Sequence, residues 1–359
     1  MPFIISNSNT IPAWDKRGGS GPPPASAFVS TWKTDNSGIS DSNQVKLPTT
    51  STGTYNFTVQ WGDGSSDVIT TYDQAEVTHT YASPGTYEVA IDGTFEGIKF
   101  YMGSDSGKIL SISQWGTLKL GNDGFYFTSC SNLNLDTVSD VLDLTGTTNF
   151  LAIFAICSSL TMINNVEQWD VSNVTSFSTA FGYCLLFNQS LNDWTTSSLT
   201  DITACFTGSP LFNQPLDNWD VSNVTTMFNT FDSCDSFNQP LNSWDTSSCT
   251  NMHYLFARAF AFNQPLNDWD VSNVTSMENM FDRTAFNQPL DNWDTGNVTT
   301  MYRMFSDSAF NQPIDMWDVS SVTDFILMFS FNTAFNQPIG NWNVSNATTF
   351  FSFMEGKTP

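Results

Sequence analysis

Tryptophan recurs along the second half of the chain at a nearly fixed interval, and this interval constrains the fold more than any other feature. The spacing is 24 or 25 residues between Trp169, Trp194, Trp219, Trp244, Trp269, Trp293, Trp317 and Trp342. A Phe-Asn-Gln tripeptide keeps the same interval and begins at Phe187, Phe212, Phe237, Phe262, Phe286, Phe310 and Phe335. A period of about 20 to 29 residues is typical of leucine-rich-repeat solenoids, in which each repeat forms one coil with a short strand. Because one coil cannot bury its aromatic residues alone, we expect the Trp and Phe side chains to form ladders in the core of a stack.

Each repeat is built from three short blocks. In the repeat that begins at Phe262 they are Phe-Asn-Gln, then Trp-Asp-Val-Ser-Asn-Val-Thr over residues 269–275, then Met-Glu-Asn-Met-Phe over residues 277–281. Over residues 161–354 these blocks resemble the BspA-like bacterial surface protein repeat. The resemblance implies a leucine-rich-repeat-like solenoid and a role in surface adhesion.

Two weaker repeats precede the regular ones. They begin at Cys130 and Cys157, which are 27 residues apart. We therefore assign degenerate first coils to residues 101–160 and the BspA-like repeat solenoid to residues 161–359.

Short alternating runs rich in Thr, Val and Tyr fill residues 27–100. Residues 55–61 read Tyr-Asn-Phe-Thr-Val-Gln-Trp and alternate with period two before Gly-Asp-Gly at 62–64. Further on, His-Thr-Tyr at 79–81 precedes Pro-Gly-Thr-Tyr at 84–87. Such alternation between turn signals predicts an antiparallel β-sandwich. The blocks resemble the PKD-type immunoglobulin-like domain, and the chain as a whole is predicted to be mainly β.

Residues 1–26 form an N-terminal arm and linker, which ends in Gly-Gly-Ser-Gly-Pro-Pro-Pro at 18–24. This composition indicates an exposed connector without a core of its own. One reading of it is a free tail. The other is an assembly arm that a neighbouring subunit holds through its apolar residues, Phe3, Ile4, Ile5 and Trp14.

The charge balance and the aromatic content each exclude one class of protein. The chain has 11 Lys and Arg against 35 Asp and Glu, for a net charge of −24. A nucleic-acid-binding protein gains affinity by neutralising phosphates with Lys and Arg, so nucleic acid is excluded as a partner. Disordered chains are poor in aromatic residues, whereas 14% of this chain is aromatic. The sequence therefore predicts a folded protein with a substantial core.

An acidic residue follows tryptophan in most repeats. The column consists of Asp170, Asp220, Asp245, Asp270, Asp294 and Asp318, with Thr195 and Asn343 in its place in two repeats. Either each side chain accepts hydrogen bonds from backbone N–H groups two or three residues on, or the row binds Ca²⁺. Substitution by Thr195 favours the hydrogen bonds, so no cofactor is expected. The weak candidates for calcium are Asp63, Asp220, Asp245 and Asp270.

Two further residue types look functional but are interpreted as structural. The six cysteines follow the repeat and form no Cys-x-x-Cys signature, so we expect buried free thiols. Asn-x-Thr/Ser sequons, such as the one at Asn273, also recur with the repeat. We interpret their Asn as bonding the turn and their Thr as facing outward, and we do not expect glycosylation.

The sequence contains few residues that could act in catalysis. Only His79 and His253 could serve as bases near neutral pH, and acid pairs recur in every repeat rather than once. We therefore expect a protein that is not an enzyme.

Binding is expected where the repeat stops being repetitive. Two neighbouring columns after the first Met or Phe of the strand vary freely, and at least one of them should point outward. The candidate contact residues there are Phe228, His253, Tyr254, Tyr302 and Arg303, which suit a partner protein or a glycan. Arg258 and Arg283 share a turn column in adjacent repeats. Either they only relieve the local acidity, or they contact a partner.

These features predict a non-enzymatic structural and adhesion protein displayed on a surface. No secretory signal peptide is readable, and no stretch approaches the ~20 apolar residues of a membrane span. We therefore expect a phage virion component made in the host cytoplasm, either a capsid decoration or a tail-associated protein. Its arm would contact other virion proteins, and its solenoid would face host-surface proteins or glycans. The alternative is a bacterial cell-surface adhesin of the BspA-like type, and a third reading is an accessory module of a glycan-degrading enzyme.

Overall fold

The protein is mainly β in the computed structural model, which describes residues 23–101 and 104–356. The helices among these residues are two short 3₁₀ segments, Ala75–Val77 and Val166–Gln168. In this part of the chain no helix has the length and apolar character needed to cross a membrane. The four apolar residues of the predicted assembly arm lie outside the described residues, so the arm stays a prediction.

Eight strands occupy the first third of the chain. They are β1 (Phe28–Lys33), β2 (Gln44–Lys46), β3 (Thr49–Gln60), β4 (Ser66–Ile69), β5 (Thr78–Thr80), β6 (Thr86–Ile98), β7 (Ile109–Gln114) and β8 (Leu118–Lys119). Six of them form one sheet in the order β4-β3-β6-β1-β7, with β8 beside β6, while β2 pairs with β5. All pairs are antiparallel except β6 with β8. In β3 the buried side chains are Tyr55, Phe57 and Val59, which confirms the alternation predicted there.

The sheet extends beyond residue 100 and leads directly into the repeats. Here β7 pairs with β1, and it then bridges in parallel to the following chain between Ser111 and Asn134. One hydrophobic core continues from Phe28 in the sheet to Phe335 in the repeats. The sheet therefore covers one end of the stacked repeats.

The repeats stack through single bridges rather than through strands. Beyond β8 the described residues form no further strand, and successive repeats are joined by isolated parallel bridges such as Ser176–Asp201. Three residues after the bridge residue φ is positive, for example 54° at Thr179 and 58° at Tyr254. The N–H of Thr179 donates to the carbonyl of Thr203 in the next repeat at 2.8 Å. Because the chain turns at this point, the short strand expected in each repeat is reduced to one residue.

The aromatic columns are core ladders, as the sequence predicts. Trp219 is 3% exposed, and its indole N–H donates to the carbonyl of Leu191 in the preceding repeat at 2.9 Å. The rings of Phe212 and Phe237 stack with centroids 6.0 Å apart and planes 5° apart. From Trp194 to Trp317, each indole thus buries its apolar surface while its N–H donates to a backbone carbonyl. The buried N–H of Trp169, the first of the column, has no such partner.

Side-chain amides join the repeats at their surface. The Oδ1 atom of Asn213 accepts hydrogen bonds from the backbone N–H of Asn238 and from Nε2 of Gln239, both at 2.9 Å. This ladder accounts for the recurring Phe-Asn-Gln tripeptide. In a sequon, Nδ2 of Asn273 donates to the carbonyl of Ser247 in the preceding repeat at 2.8 Å. The sequon asparagines therefore have a structural use that is independent of any glycan.

The six cysteines are buried free thiols, which confirms that prediction. The Sγ atom of Cys157 donates to the carbonyl of Phe127 at 3.1 Å. Burial raises the pKa of Cys184 to about 12. A thiol with so high a pKa is almost entirely protonated at neutral pH and is a poor nucleophile.

Candidate binding surface

The aspartate after each repeat tryptophan caps the turn that follows it. Its Oδ1 accepts the backbone N–H two residues on, at 3.0 Å from Ser222 to Asp220, 3.0 Å from Ser247 to Asp245 and 2.9 Å from Ser272 to Asp270. The hydroxyl and backbone N–H of Ser247 hold the pKa of Asp245 below its usual value. In the described ranges no group of three or more His, Cys, Asp or Glu side chains could hold a metal ion. The turn-capping interpretation of this column fits the structure.

The other weak calcium candidate, Asp63, is fully engaged as well. Its Oδ1 accepts the N–H of Ser65 at 2.9 Å, and its Oδ2 lies 2.9 Å from Nε2 of His79. Partial burial raises the pKa of Asp63, but the hydrogen bonds from Ser65 and His79 outweigh burial and leave that pKa below its usual value. The Oγ of Ser65 is 3.4 Å from the same Nε2 atom. A Ser-His-Asp relay needs the acid and the serine on different ring nitrogens, so these three residues do not form one.

The two variable columns both reach the surface, except at Asn279 of the second column, which is buried. Phe228 and Tyr254 belong to different columns, and both are half-buried. Neighbouring residues of a strand would point to opposite faces. Here the second column has positive φ, so the turn brings both columns to the same side. We call this surface, together with the adjoining column of Arg258 and Arg283, the variable face.

Three of the predicted residues form an aromatic cluster on the variable face. The rings of His253 and Tyr254 stack at 4.4 Å, and Phe228 meets His253 edge-on at 5.3 Å. The guanidinium carbon of Arg258 lies 6.0 Å from the ring centroid of Tyr254. Tyr302 lies two repeats further along the stack and does not join the cluster.

Ion pairs between adjacent repeats hold the variable face together. They are Arg258–Asp232 at 2.5 Å, Arg303–Asp282 at 3.2 Å and Arg283–Asp307 at 3.6 Å. In addition, Nε2 of His253 lies 3.1 Å from a carboxylate oxygen of Glu278 in the next repeat. Burial raises the pKa of Asp232, although its hydrogen bond and charge interaction with Arg258 oppose that rise. Burial also lowers the pKa of His253, although Glu278 opposes this, so the imidazole is mainly neutral at pH 7. The arginines therefore pair with nearby carboxylates, and each arginine side chain remains partly exposed.

Sequence reasoning identified the arginines and missed their acid partners. Asp232 precedes Arg258 by 26 residues, and Asp282 precedes Arg303 by 21, whereas the repeat period is 24 or 25. The pairs thus link different columns, and the period alone does not reveal them. The scarcity of basic residues is the signal that could have revealed these pairs. Arg258, Arg283 and Arg303 are the only Lys or Arg residues between positions 161 and 356.

Large side chains stand at strained positions on this face. The angle φ is 58° at Tyr254, 58° at Arg258 and 53° at Arg303. The same two columns have positive φ along the stack, where they hold Asn279 and Gly208 but also bulky residues such as Tyr183 and Leu327. A bulky residue at such a position costs stability.

A known protein family matches the chain. The family described as "Mycoplasma protein of unknown function, DUF285" matches the chain three times, at residues 98–213, 178–285 and 256–358. Together these matches span more than two thirds of the chain. The chain belongs to this family. Searches of curated proteins and of solved structures gave no match.

The DUF285 matches coincide with the repeats. They begin at residue 98, where β6 ends, and they include the whole variable face. The protein is therefore a repeat protein of mainly β structure. The name of the DUF285 family specifies no activity, so the variable face has to be interpreted from its own chemistry.

Proposed function

We propose that this DUF285 protein is a non-enzymatic, surface-displayed adhesion protein that recognises its partner through the variable face. The observation that carries the proposal is the aromatic cluster of Phe228, His253 and Tyr254, which the contact of His253 with Glu278 and the ion pair of Arg258 with Asp232 hold in place. Aromatic residues and arginine are enriched at the centres of interfaces and carry much of their binding energy. A cluster that is already ordered loses little entropy when it binds.

The finer description of the fold belongs to the same proposal. Parallel bridges at each repeat and continuous aromatic ladders support a leucine-rich-repeat-like solenoid of the BspA-like type. The stacking of His79 on Trp61 at 4.7 Å, beside the Gly-Asp-Gly turn, supports a PKD-like immunoglobulin domain at the N-terminal side. In this proposal the sheet is the support and the solenoid is the recognising part.

Binding to intact bacterial cells and to an array of immobilised glycans tests the recognition. Tyr254→Ala and Phe228→Ala each remove one ring from the cluster, and we expect each to weaken binding at least about tenfold. Met316→Ala is the matched control, because Met316 is 80% exposed and lies outside the variable face. Circular dichroism confirms that each variant is folded. Wild-type binding by both ring variants contradicts the proposed role of the cluster.

The surface that displays the protein is tested separately. From the sequence we propose a phage virion, as a capsid decoration or a tail-associated protein, with a bacterial cell surface as the alternative. Electron microscopy of the native source material with gold-labelled antibody distinguishes the two. Label on capsids or tails supports the virion, and label spread over a cell envelope supports the adhesin.

A further inference from the structure

In repeats that precede the aromatic cluster, the turn column of Arg258 and Arg283 and the segment that follows it expose a group of large apolar side chains. They are Ile156 at 47%, Tyr183 at 52%, Leu185 at 46%, Leu186 at 46% and Leu211 at 47% of their full exposure. Single exposed apolar residues are normal on a protein, but a contiguous group usually marks an interaction site. We call this group the uncharged corner.

The members of the corner belong to three successive repeats and lie side by side. The N–H of Ile156 donates to the carbonyl of Gly182, the neighbour of Tyr183, at 2.8 Å. The ring of Tyr183 lies over Gly208 in the next repeat, since a Cβ atom there would come within 2.5 Å of that ring. Leu186 and Leu211 directly precede Phe187 and Phe212, whose rings stack at 6.2 Å.

No charged residue interrupts this corner. Residues 156–162, 183–189 and 208–214 contain no Asp, Glu, Lys or Arg. The corresponding segments of the next four repeats contain Asp235, Arg258, Arg283 and Asp307. In a chain with a net charge of −24, a corner without charges over three repeats is therefore a distinct local feature.

We propose that the uncharged corner is the contact between two copies of this chain in a reversible, two-fold symmetric dimer. Two copies of so acidic a protein repel each other, so they can approach closely only where neither presents a carboxylate. A two-fold axis places the same surface of each copy against the other. At this corner it would pair apolar side chains with apolar side chains and would bury no unpaired charge.

The size of the corner predicts a weak dimer. Stable interfaces bury about 800 Å² on each partner, whereas five half-exposed side chains supply only part of that area. The dimer should therefore dissociate on dilution. Because salt screens the repulsion between the two acidic bodies and leaves the apolar contact in place, association should strengthen with ionic strength.

Sedimentation velocity on the full chain, over a range of protein concentrations at low and high salt, tests the proposal. We expect the dimer fraction to rise with both protein and salt concentration. Leu186→Asp and Leu211→Asp each place a carboxylate in the corner, and each should shift the protein to monomer. Met316→Asp is the matched control, since it adds the same charge at an exposed apolar residue elsewhere and should leave most of the dimer intact.

Three results would overturn the proposal. The first is a monomer at every protein and salt concentration, which would mean that any partner of the corner is a different protein. The second is a dimer that weakens with salt, which would place the contact at charged residues. The third is an equal loss of dimer in Met316→Asp and in the two corner variants. Melting curves of all three variants show whether each remains folded.

Discussion

At the scale of single residues, several side chains of the variable face lie at backbone positions whose positive φ lowers stability. The positions with positive φ suit Gly and Asn, and several repeats have these residues there. The repeats of the variable face have Asn229 and Asn279 at two of these positions, and Tyr254, Arg258, Arg283 and Arg303 at others. Each of these side chains is displayed at a cost in backbone strain, which the packing of the ladders below has to offset.

Arg283 allows this cost to be measured. It is exposed, its φ is 58°, and its ion pair with Asp307 is long, at 3.6 Å. A surface pair of this kind contributes little, while glycine relieves the strain of positive φ. We expect Arg283→Gly to raise the free energy of unfolding by about 1 kcal/mol in thermal or urea denaturation. Arg283→Ala removes the same ion pair and keeps the strain, so equal stabilisation by both variants would contradict this account.

At the scale of elements, some of the fold could be predicted from the sequence and some could not. The ladders and the alternation in β3 were predictable, because a regular period directly reports which side chains are buried. The strand β7 was not, since only Ile109 and Ile112 in it are buried, at a spacing of three. Two register shifts in its pairing with β1 explain that spacing. Outward-facing columns were predictable, but the ion pairs that hold them depend on turn geometry.

The loop before β2 is held by a single buried lysine. The Nζ atom of Lys108 donates to the carbonyls of Ser40, Asp41 and Gln44 at 2.9 to 3.0 Å, and to Oγ of Ser40 at 2.7 Å. Its side chain is 1% exposed, and Asp105, 3.9 Å away, is completely buried. Burial lowers the pKa of Lys108, although the nearby aspartates oppose this. One cation therefore satisfies acceptors that would otherwise be buried without partners.

Replacing Lys108 by methionine keeps the apolar stem and removes the charge. The carbonyls around Nζ then lose their donor, and Asp105 loses the nearby positive charge although it keeps hydrogen bonds from Ile39, Ser40 and Lys46. We expect Lys108→Met to lower the free energy of unfolding by about 3 to 5 kcal/mol, measured by urea denaturation. Lys33→Met is the control, because Lys33 pairs with Asp35 at the surface and its loss should cost less than about 1 kcal/mol. Equal effects of the two substitutions would show that the buried cation has no special role.

At the scale of the whole molecule, the two ends of the stack differ. At the N-terminal side the sheet and the repeats share one core, and Trp115 contacts both Phe127 and Trp169. At the other side no described repeat packs beyond residues 336–356. There Trp342 is only half-buried and Phe351 is 75% exposed. In a stack stabilised by contacts between neighbours, a repeat that is packed on one side only is held less firmly.

Hydrogen exchange should therefore show a gradient along the stack. Local opening requires the least free energy where buried apolar contacts are fewest. We expect amides in residues 336–356 to exchange fastest, those near the sheet at residues 125–156 slowly, and those in the central repeats most slowly. Trp115→Ala should raise exchange at residues 125–156, because it removes the side chain that joins sheet and repeats, while the gradient at residues 336–356 stays unchanged. Equal protection at both ends in the wild-type protein would mean that the sheet does not stabilise the repeat it covers.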